Sequence, residues 1–308
     1  MRTTFATTRR GLDHASPPMR LWRKAKKLGT WDPAAVDLSQ DREDWQGLGE
    51  REQDLLLRLT AQFAGGEESV TADLLPLLGW AARTGRVEDE MFLTSYLWEE
   101  AKHVEAFDRV LREVAGVDGD LEAYLTDAYR GHFMHAQPEA MDRLRSDDSP
   151  EALADAVATY QMTTEGVLAE TGYHAYYTVL GERGILPGTR EMVGLIQRDE
   201  SRHVGYGIHL LSELIAEHGD PIWAIVEARM SMLLMGAMQV VGEMLAPYGD
   251  DIPFGITVEQ FMMHAQGQFQ KRYARLEKAR TQTVADVRAE ASGALADEPV
   301  GGDGAPAA

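Results

Sequence analysis

Apolar residues recur at intervals of three and four through most of this chain, the spacing that lays them along one face of a helix. Between about residues 46 and 284 no stretch alternates apolar and polar side chains as a strand would. Breaks fall at Gly85, between Gly116 and Gly119, at Pro138, near Pro150, at Pro187-Gly188 and at Gly219-Asp220-Pro221. Glycine and proline at such points end helices. The intervals leave several helices of about 25–30 residues, and long helices with short breaks predict an all-α bundle.

Two of the apolar stripes contain residues that do not belong in a core. One reads Ile196, Glu200, His203, Gly207, Leu210, Leu214; the other reads Tyr96, Glu100, His103, Phe107, Val110, Val114. A carboxylate and an imidazole stand where leucine is expected. Burying a lone carboxylate is costly unless a charge compensates it, and a cation would.

The flanks differ from this pattern. Residues 1–45 read as an irregular arm, with Pro17-Pro18, Gly29 and Pro33 as breakers. Residues 285–308 are rich in Ala, Gly, Asp and Glu and end GGDGAPAA, a composition that predicts a disordered tail. The expected division is therefore an arm at 1–45, a helical domain at 46–284 and a tail at 285–308.

Composition narrows the chemistry. The 308 residues contain no cysteine, so disulfides, iron–sulfur clusters and cysteine nucleophiles are excluded, and any metal site must use His, Asp and Glu. Net charge is −20, which argues against a broad nucleic-acid surface. The arm is the exception: residues 1–33 carry eight basic side chains against Asp13 and Asp32, and are expected to lie on an acidic body. The most apolar segment, from Pro221 to Tyr248, is interrupted by Glu227, Arg229 and Glu243, and Arg9-Arg10 is followed by no apolar run. Neither a transmembrane span nor an export signal is expected, and a cytoplasmic location is.

The stripe residues belong to two motifs, EEAKH at 99–103 and DESRH at 199–203. Glu and His three apart share a helix face and can grip one ion. A two-metal site in a four-helix bundle also takes one Glu from each of two further helices. Upstream of Glu100 stand Glu67 and Glu68; upstream of Glu200 stand Glu165 and Glu170. Glu67 precedes Glu100 by 33 residues and Glu165 precedes Glu200 by 35, as two similar hairpins require, whereas Glu170 precedes Glu200 by 30. Spacing alone leaves Glu68 open, but Glu67 continues the stripe Leu56, Leu59, Phe63 and leads on to Val70 and Leu74. The candidate ligands are Glu67, Glu100, His103, Glu165, Glu200 and His203. Four carboxylates and two imidazoles suit iron or manganese better than a closed tetrahedral zinc site. His174, four residues after Glu170, is the nearest competing pair.

These motifs resemble those of the ferritin-like di-metal carboxylate superfamily, which includes the ribonucleotide reductase small subunit. The resemblance covers about residues 5–280 and is most specific at GEESVTADLLPL (66–77) and ATYQMTTEGVLAETGY (158–173). Within the superfamily the chain is most similar to the ligand-binding oxidases that look like the reductase small subunit. That resemblance implies a ferritin-like four-helix core with additional helices, a mixed manganese–iron centre, a long-chain fatty acid beside the metals and a homodimer. It also implies an ether cross-link, which falls on Val70 and Tyr160, and a hydrogen bond from the imidazole of His103 to Asp199. Two features depart from a reductase subunit. The radical-bearing tyrosine would fall at Phe107, and the C-terminal end lacks the apolar and aromatic residues that dock on a large subunit.

The expected function is thus an O2-activating oxidase that takes hydrogen from C–H bonds, with an electron donor the sequence does not name. Met230, Met232, Met235, Met238 and Met244 suggest a loosely shaped lipid channel. A di-iron acyl desaturase or monooxygenase, a non-catalytic metal- and lipid-binding protein and an iron-storage cage are the alternatives.

Overall fold

The computed structural model describes residues 4–297, and no strand occurs among them. Eight helices carry the architecture. They are α1 (Pro17–Leu28), α2 (Glu50–Asp73), α3 (Val87–Arg109), α4 (residues 150–181), α5 (Pro187–His218), α6 (Asp220–Leu245), α7 (Val258–Lys278) and α8 (Val284–Asp297).

Helices α2 to α5 form the bundle core, and the order of their buried residues shows how they run. One apolar cluster contains Val70 and Leu74, Phe92 and Tyr96, Val157 and Tyr160, Val204 and Leu210. A second contains Leu56 and Leu59, Phe107 and Val110, Tyr173 and Tyr176, Met192 and Ile196. Helices α2 and α5 pass from the second cluster to the first, and α3 and α4 pass the other way. Glu67, Glu100, His103, Glu165, Glu200 and His203 all fall where their helices cross between the two clusters.

Local sequence explains the helix ends. Glu52 accepts a hydrogen bond from the Gly49 amide at 2.9 Å at the start of α2, and Glu88, Asp89 and Glu90 complement the N-terminal dipole of α3. The first turn of α5 is capped from outside: the buried Asp41 carboxylate accepts from the amides of Gly188 and Thr189 and from the Thr189 hydroxyl, at 2.7–2.8 Å.

Helix α4 departs from α geometry. Through Ala158–Ala169 it is a π-helix, and the hydroxyls of Thr163 and Thr164 bond the carbonyls of Ala158 and Thr159, five residues back. A π-turn is wider than an α-turn, so residues five apart come onto nearly the same face. Tyr160 and Glu165 are five apart.

Both flanks differ from the sequence expectation. The arm is helical at Pro17–Leu28, where Pro17 and Pro18 occupy the first helical turn and a missing N–H costs nothing, and again at Ser39–Gln46. Met19, Leu21 and Ala25 bury that helix against the bundle. The start of the tail is α8: Thr283 and Asp286 cap it reciprocally, Val287 is buried, and Arg288 reaches Glu213 at 2.6 Å. Residues 298–308 lie outside the described residues.

Helix α6 with its extension to Tyr248 is the one described segment long and apolar enough to cross a membrane by length and composition. Here Ile222, Val226, Met230, Leu233 and Ala237 pack into the bundle.

Candidate metal centre

The six candidate ligands converge as two overlapping groups, Glu67, Glu100, His103 and Glu200 in one and Glu100, Glu165, Glu200 and His203 in the other. All are buried. Glu100 and Glu200 are shared, and each gives one oxygen to either side. Glu100 Oε2 lies 3.5 Å from His103 Nδ1, and its Oε1 lies 3.2 Å from His203 Nδ1. Glu200 Oε1 lies 3.3 Å from His103 Nδ1, and its Oε2 lies 3.3 Å from His203 Nδ1. Glu67 closes the first group at 3.5 Å from His103 Nδ1; Glu165 closes the second at 3.9 Å from His203 Nδ1. Glu68 is exposed, and Glu170 turns away to Gln197 and Arg272.

Without metal this layer is held together by protons. Burial pushes the Glu67 carboxyl up to about 8 and the Glu165 carboxyl well above its usual range. Burial also acts on Glu100, but the close His103 and His203 imidazoles outweigh it and hold Glu100 at about 2. Burial would lower both imidazoles, and the surrounding carboxylates overcome it and raise both well above the usual value. Both Glu100 oxygens, Glu165 Oε2 and His103 Nδ1 nevertheless lack a hydrogen-bond partner. Unpartnered buried acceptors on Glu100 and Glu165, within a set of four carboxylates, fit a pair of divalent cations, which would replace the protons and satisfy those atoms.

A second ring of charge surrounds the ligands. Asp199 Oδ2 lies 3.4 Å from His103 Nε2 and accepts from Trp31 Nε1 at 2.7 Å and Lys102 Nζ at 3.0 Å. Burial opposes its charge, but His103, Arg202 and Lys102 hold Asp199 far below the usual carboxylate range. On the other side Glu99 Oε2 lies 2.9 Å from His203 Nε2. Sequence reasoning found the first pair and missed the second, although both motifs have an acid immediately before the glutamate. It also missed Tyr96, one helical turn before Glu100, whose ring stacks on His203 at 3.5 Å between centroids and whose hydroxyl donates to Glu165.

The remaining residues separate. Tyr160 and Val70 meet, the Tyr160 hydroxyl donating to the Val70 carbonyl at 2.9 Å. Phe107 is buried and stacks on Phe63 at 4.8 Å. His174 faces His264, not the ligands, with ring centroids 4.1 Å apart. An apolar cavity adjoins the cluster, lined by Leu59, Phe133, Leu168, Val241 and Phe261 and floored by Glu67, Glu165 and Glu200. Of the five methionines only Met244 lines it. Met232 and Met235 are 57% and 67% exposed, because they face outward on α6, so the expected methionine channel is not there.

A four-helix core with two Glu-x-x-His motifs and two further glutamates defines the ferritin-like carboxylate class. A model of the family described as ribonucleotide reductase, small chain, matches residues 17–264. An R2-like ligand-binding oxidase with an aerobically reconstituted Mn/Fe cofactor after a long soak superposes with a TM-score of 0.86 at 33% identity, over 89% of this chain and 98% of that one. A tyrosine-to-phenylalanine variant of an R2-like ligand-binding oxidase, aerobically reconstituted with Mn/Fe, gives 0.84 at 34% identity over 89% and 98%. A valine-to-alanine variant with anaerobically reconstituted Mn/Fe gives the same values. This chain belongs to the ribonucleotide reductase small-chain family, among the R2-like ligand-binding oxidases.

Proposed function

We propose that the protein is an O2-dependent oxidase in which Glu67, Glu100, His103, Glu165, Glu200 and His203 hold one manganese and one iron ion. The observation that carries this reading is the sharing of Glu100 and Glu200 between two buried groups that open onto an apolar cavity. Such a metal pair, when bound, reduces dioxygen and supplies an oxidant strong enough for an unactivated C–H bond. The neighbouring oxidases of known structure carry Mn/Fe, which supports this metal pair.

The protein's own part is binding and positioning. The four carboxylates balance the charge of two divalent ions. Glu99 and Asp199 fix the proton of each imidazole on Nε2, leaving Nδ1 as the ligating atom. The apolar cavity is where the substrate would bind, and we take that substrate to be a long-chain fatty acid or a similar acyl chain. We further assign to the chain a homodimeric state and a separate electron donor.

The same reading assigns an ether link to Val70 and Tyr160. Joining Val70 Cβ to Tyr160 Oη breaks one C–H and one O–H bond, and the two protons and two electrons pass to dioxygen. No acid, base or nucleophile in the site can break the valine C–H bond. The π-turn supports the pairing, since it brings Tyr160 onto the face of Glu165.

The test is reconstitution of metal-free protein with Mn(II) and Fe(II) under nitrogen, followed by air. Peptide mapping is expected to find the segments around Val70 and Tyr160 joined only after air, with two hydrogens lost, and Tyr160→Phe to abolish the link while both metals remain. Unlinked peptides in metal-loaded, air-exposed protein would move the function to an acyl desaturase or a non-catalytic binder.

A further inference from the structure

Tyr173 is fully buried, yet its hydroxyl has no partner. The other buried tyrosines around the core are satisfied: Tyr96 donates to Glu165, Tyr129 to the Gln62 carbonyl, Tyr160 to the Val70 carbonyl and Tyr206 to Asp89, while Tyr176 pairs with Thr60. Tyr173 lines the apolar cavity together with Glu67, Glu165 and Glu200. The polar side chains that share the lining are engaged elsewhere: Thr164 donates to Gln137, Thr171 to the Val167 carbonyl and Gln62 to the Tyr124 carbonyl. A phenol kept from water without an acceptor is destabilising, and an acceptor atom delivered into the cavity removes the penalty.

We propose that the Tyr173 hydroxyl donates a hydrogen bond to the head-group oxygen of the acyl ligand, and thereby selects chains that end in an oxygen acceptor over plain hydrocarbons. This rests on the acyl-ligand reading above and deepens it.

The ring is held for that task. Phe63 stacks on Tyr173 at 5.2 Å between centroids and on Phe107 at 4.8 Å. It reaches that position because residue 172 is glycine: a Cβ there would meet the Phe63 ring at 2.4 Å. Burial, then the nearby charges of Glu200 and Glu67, push the Tyr173 phenol well above its usual range, so it stays protonated. A phenol with its proton fixed and no donor within reach recognises an acceptor. Carboxylate and ester carbonyl oxygens both qualify; an alkane does not.

The experiment uses Mn/Fe-loaded protein stripped of copurified lipid, with a saturated long-chain fatty acid, its methyl ester and the alkane of equal length as probes. Bound probe is measured by mass spectrometry and metal by elemental analysis. Tyr173→Phe is expected to keep both metals, to bind the acid about tenfold more weakly and to bind the alkane as before. A loss shared by acid and ester supports recognition of the acyl oxygen, and a loss confined to the acid supports recognition of the carboxylate. Unchanged acid affinity, or an equal loss for all three probes, overturns the proposal. Wild-type protein that holds both metals and takes up none of the probes overturns the acyl-ligand reading itself. Should Tyr173→Phe lose its metals, the crystal structure of wild-type protein with the acid decides: Tyr173 Oη within about 2.6–3.2 Å of a head oxygen supports the proposal, and a longer separation overturns it.

Discussion

Glu99 Oε2 lies 2.9 Å from His203 Nε2, the counterpart of Asp199 Oδ2 at 3.4 Å from His103 Nε2. The acid that opens each motif therefore serves the imidazole of the other motif, on the neighbouring helix. Arg202 ties the two, its Nη2 reaching Glu99 Oε1 at 2.6 Å and Asp199 Oδ1 at 2.5 Å. Helices α3 and α5 are cross-braced by the same groups that orient the ligands.

That bracing predicts selective losses. Glu99→Ala is expected to weaken the metal held by His203 by about 10–100-fold and to spare the one held by His103; Asp199→Ala is expected to do the reverse. Metal titration followed by elemental analysis checks this. Equal loss of both ions in each variant would contradict it.

The arm reaches the same braces. A Cβ on Gly29 would stand 1.9 Å from Glu99 Oε1 and 3.0 Å from Arg202 Nη2. Gly29→Ala is expected to cost about 1–3 kcal/mol of stability in denaturant unfolding. It is also expected to reproduce, in weaker form, the His203-side metal loss of Glu99→Ala. Wild-type stability together with wild-type metal content would show that the arm does not press on this ring.

Protonation predicts how stabilisation by metal depends on pH. Glu67 folds with its carboxyl raised to about 8, and Glu165, His103 and His203 are raised as well, so the ligand layer binds more protons folded than unfolded, while burial lowers His132, His174, His209 and His264, which act in the opposite sense. The layer's contribution to stability then falls as pH rises, from the ordinary carboxylate range through about 8. The stabilisation by added metal, which displaces the layer's protons, is expected to be larger at pH 8 than at pH 5.5 (roughly the two ends of that window). Metal stabilisation that does not grow from the lower to the higher pH would contradict the proton-held layer.

Phe107 makes a spectroscopic prediction. It is buried and packed on Phe63, and the family resemblance implies that a reductase subunit would have its radical tyrosine there. Oxygen exposure of metal-loaded protein is expected to give no persistent tyrosyl signal in electron paramagnetic resonance. A stable sharp signal would place the chain with the reductases.

Much of this site is legible in the sequence because burial of polar residues breaks an otherwise apolar stripe. Glu100, His103, Glu200 and His203 announce themselves that way, and hairpin spacing separates Glu165 from Glu170. What escaped depended on three-dimensional detail. The π-turn leaves no periodic signature, so the relation of Tyr160 to Glu165 could not be derived from helical spacing. Pro17 and Pro18 look like breakers unless one knows that they open a helix. Glu99 drew no assignment because its partner lies 104 residues away on another helix. The methionines of α6 were misread because composition does not tell which face of a helix meets the core.

The central claim is that two overlapping groups of side chains hold two different metals. Anomalous diffraction at the manganese and iron edges, on crystals of protein reconstituted with both, tests it directly. One ion is expected among Glu67, Glu100, His103 and Glu200 and the other among Glu100, Glu165, Glu200 and His203, with manganese and iron at different positions. A single peak, two ions of one element from the mixed supply, or anomalous density away from these six residues would contradict the account.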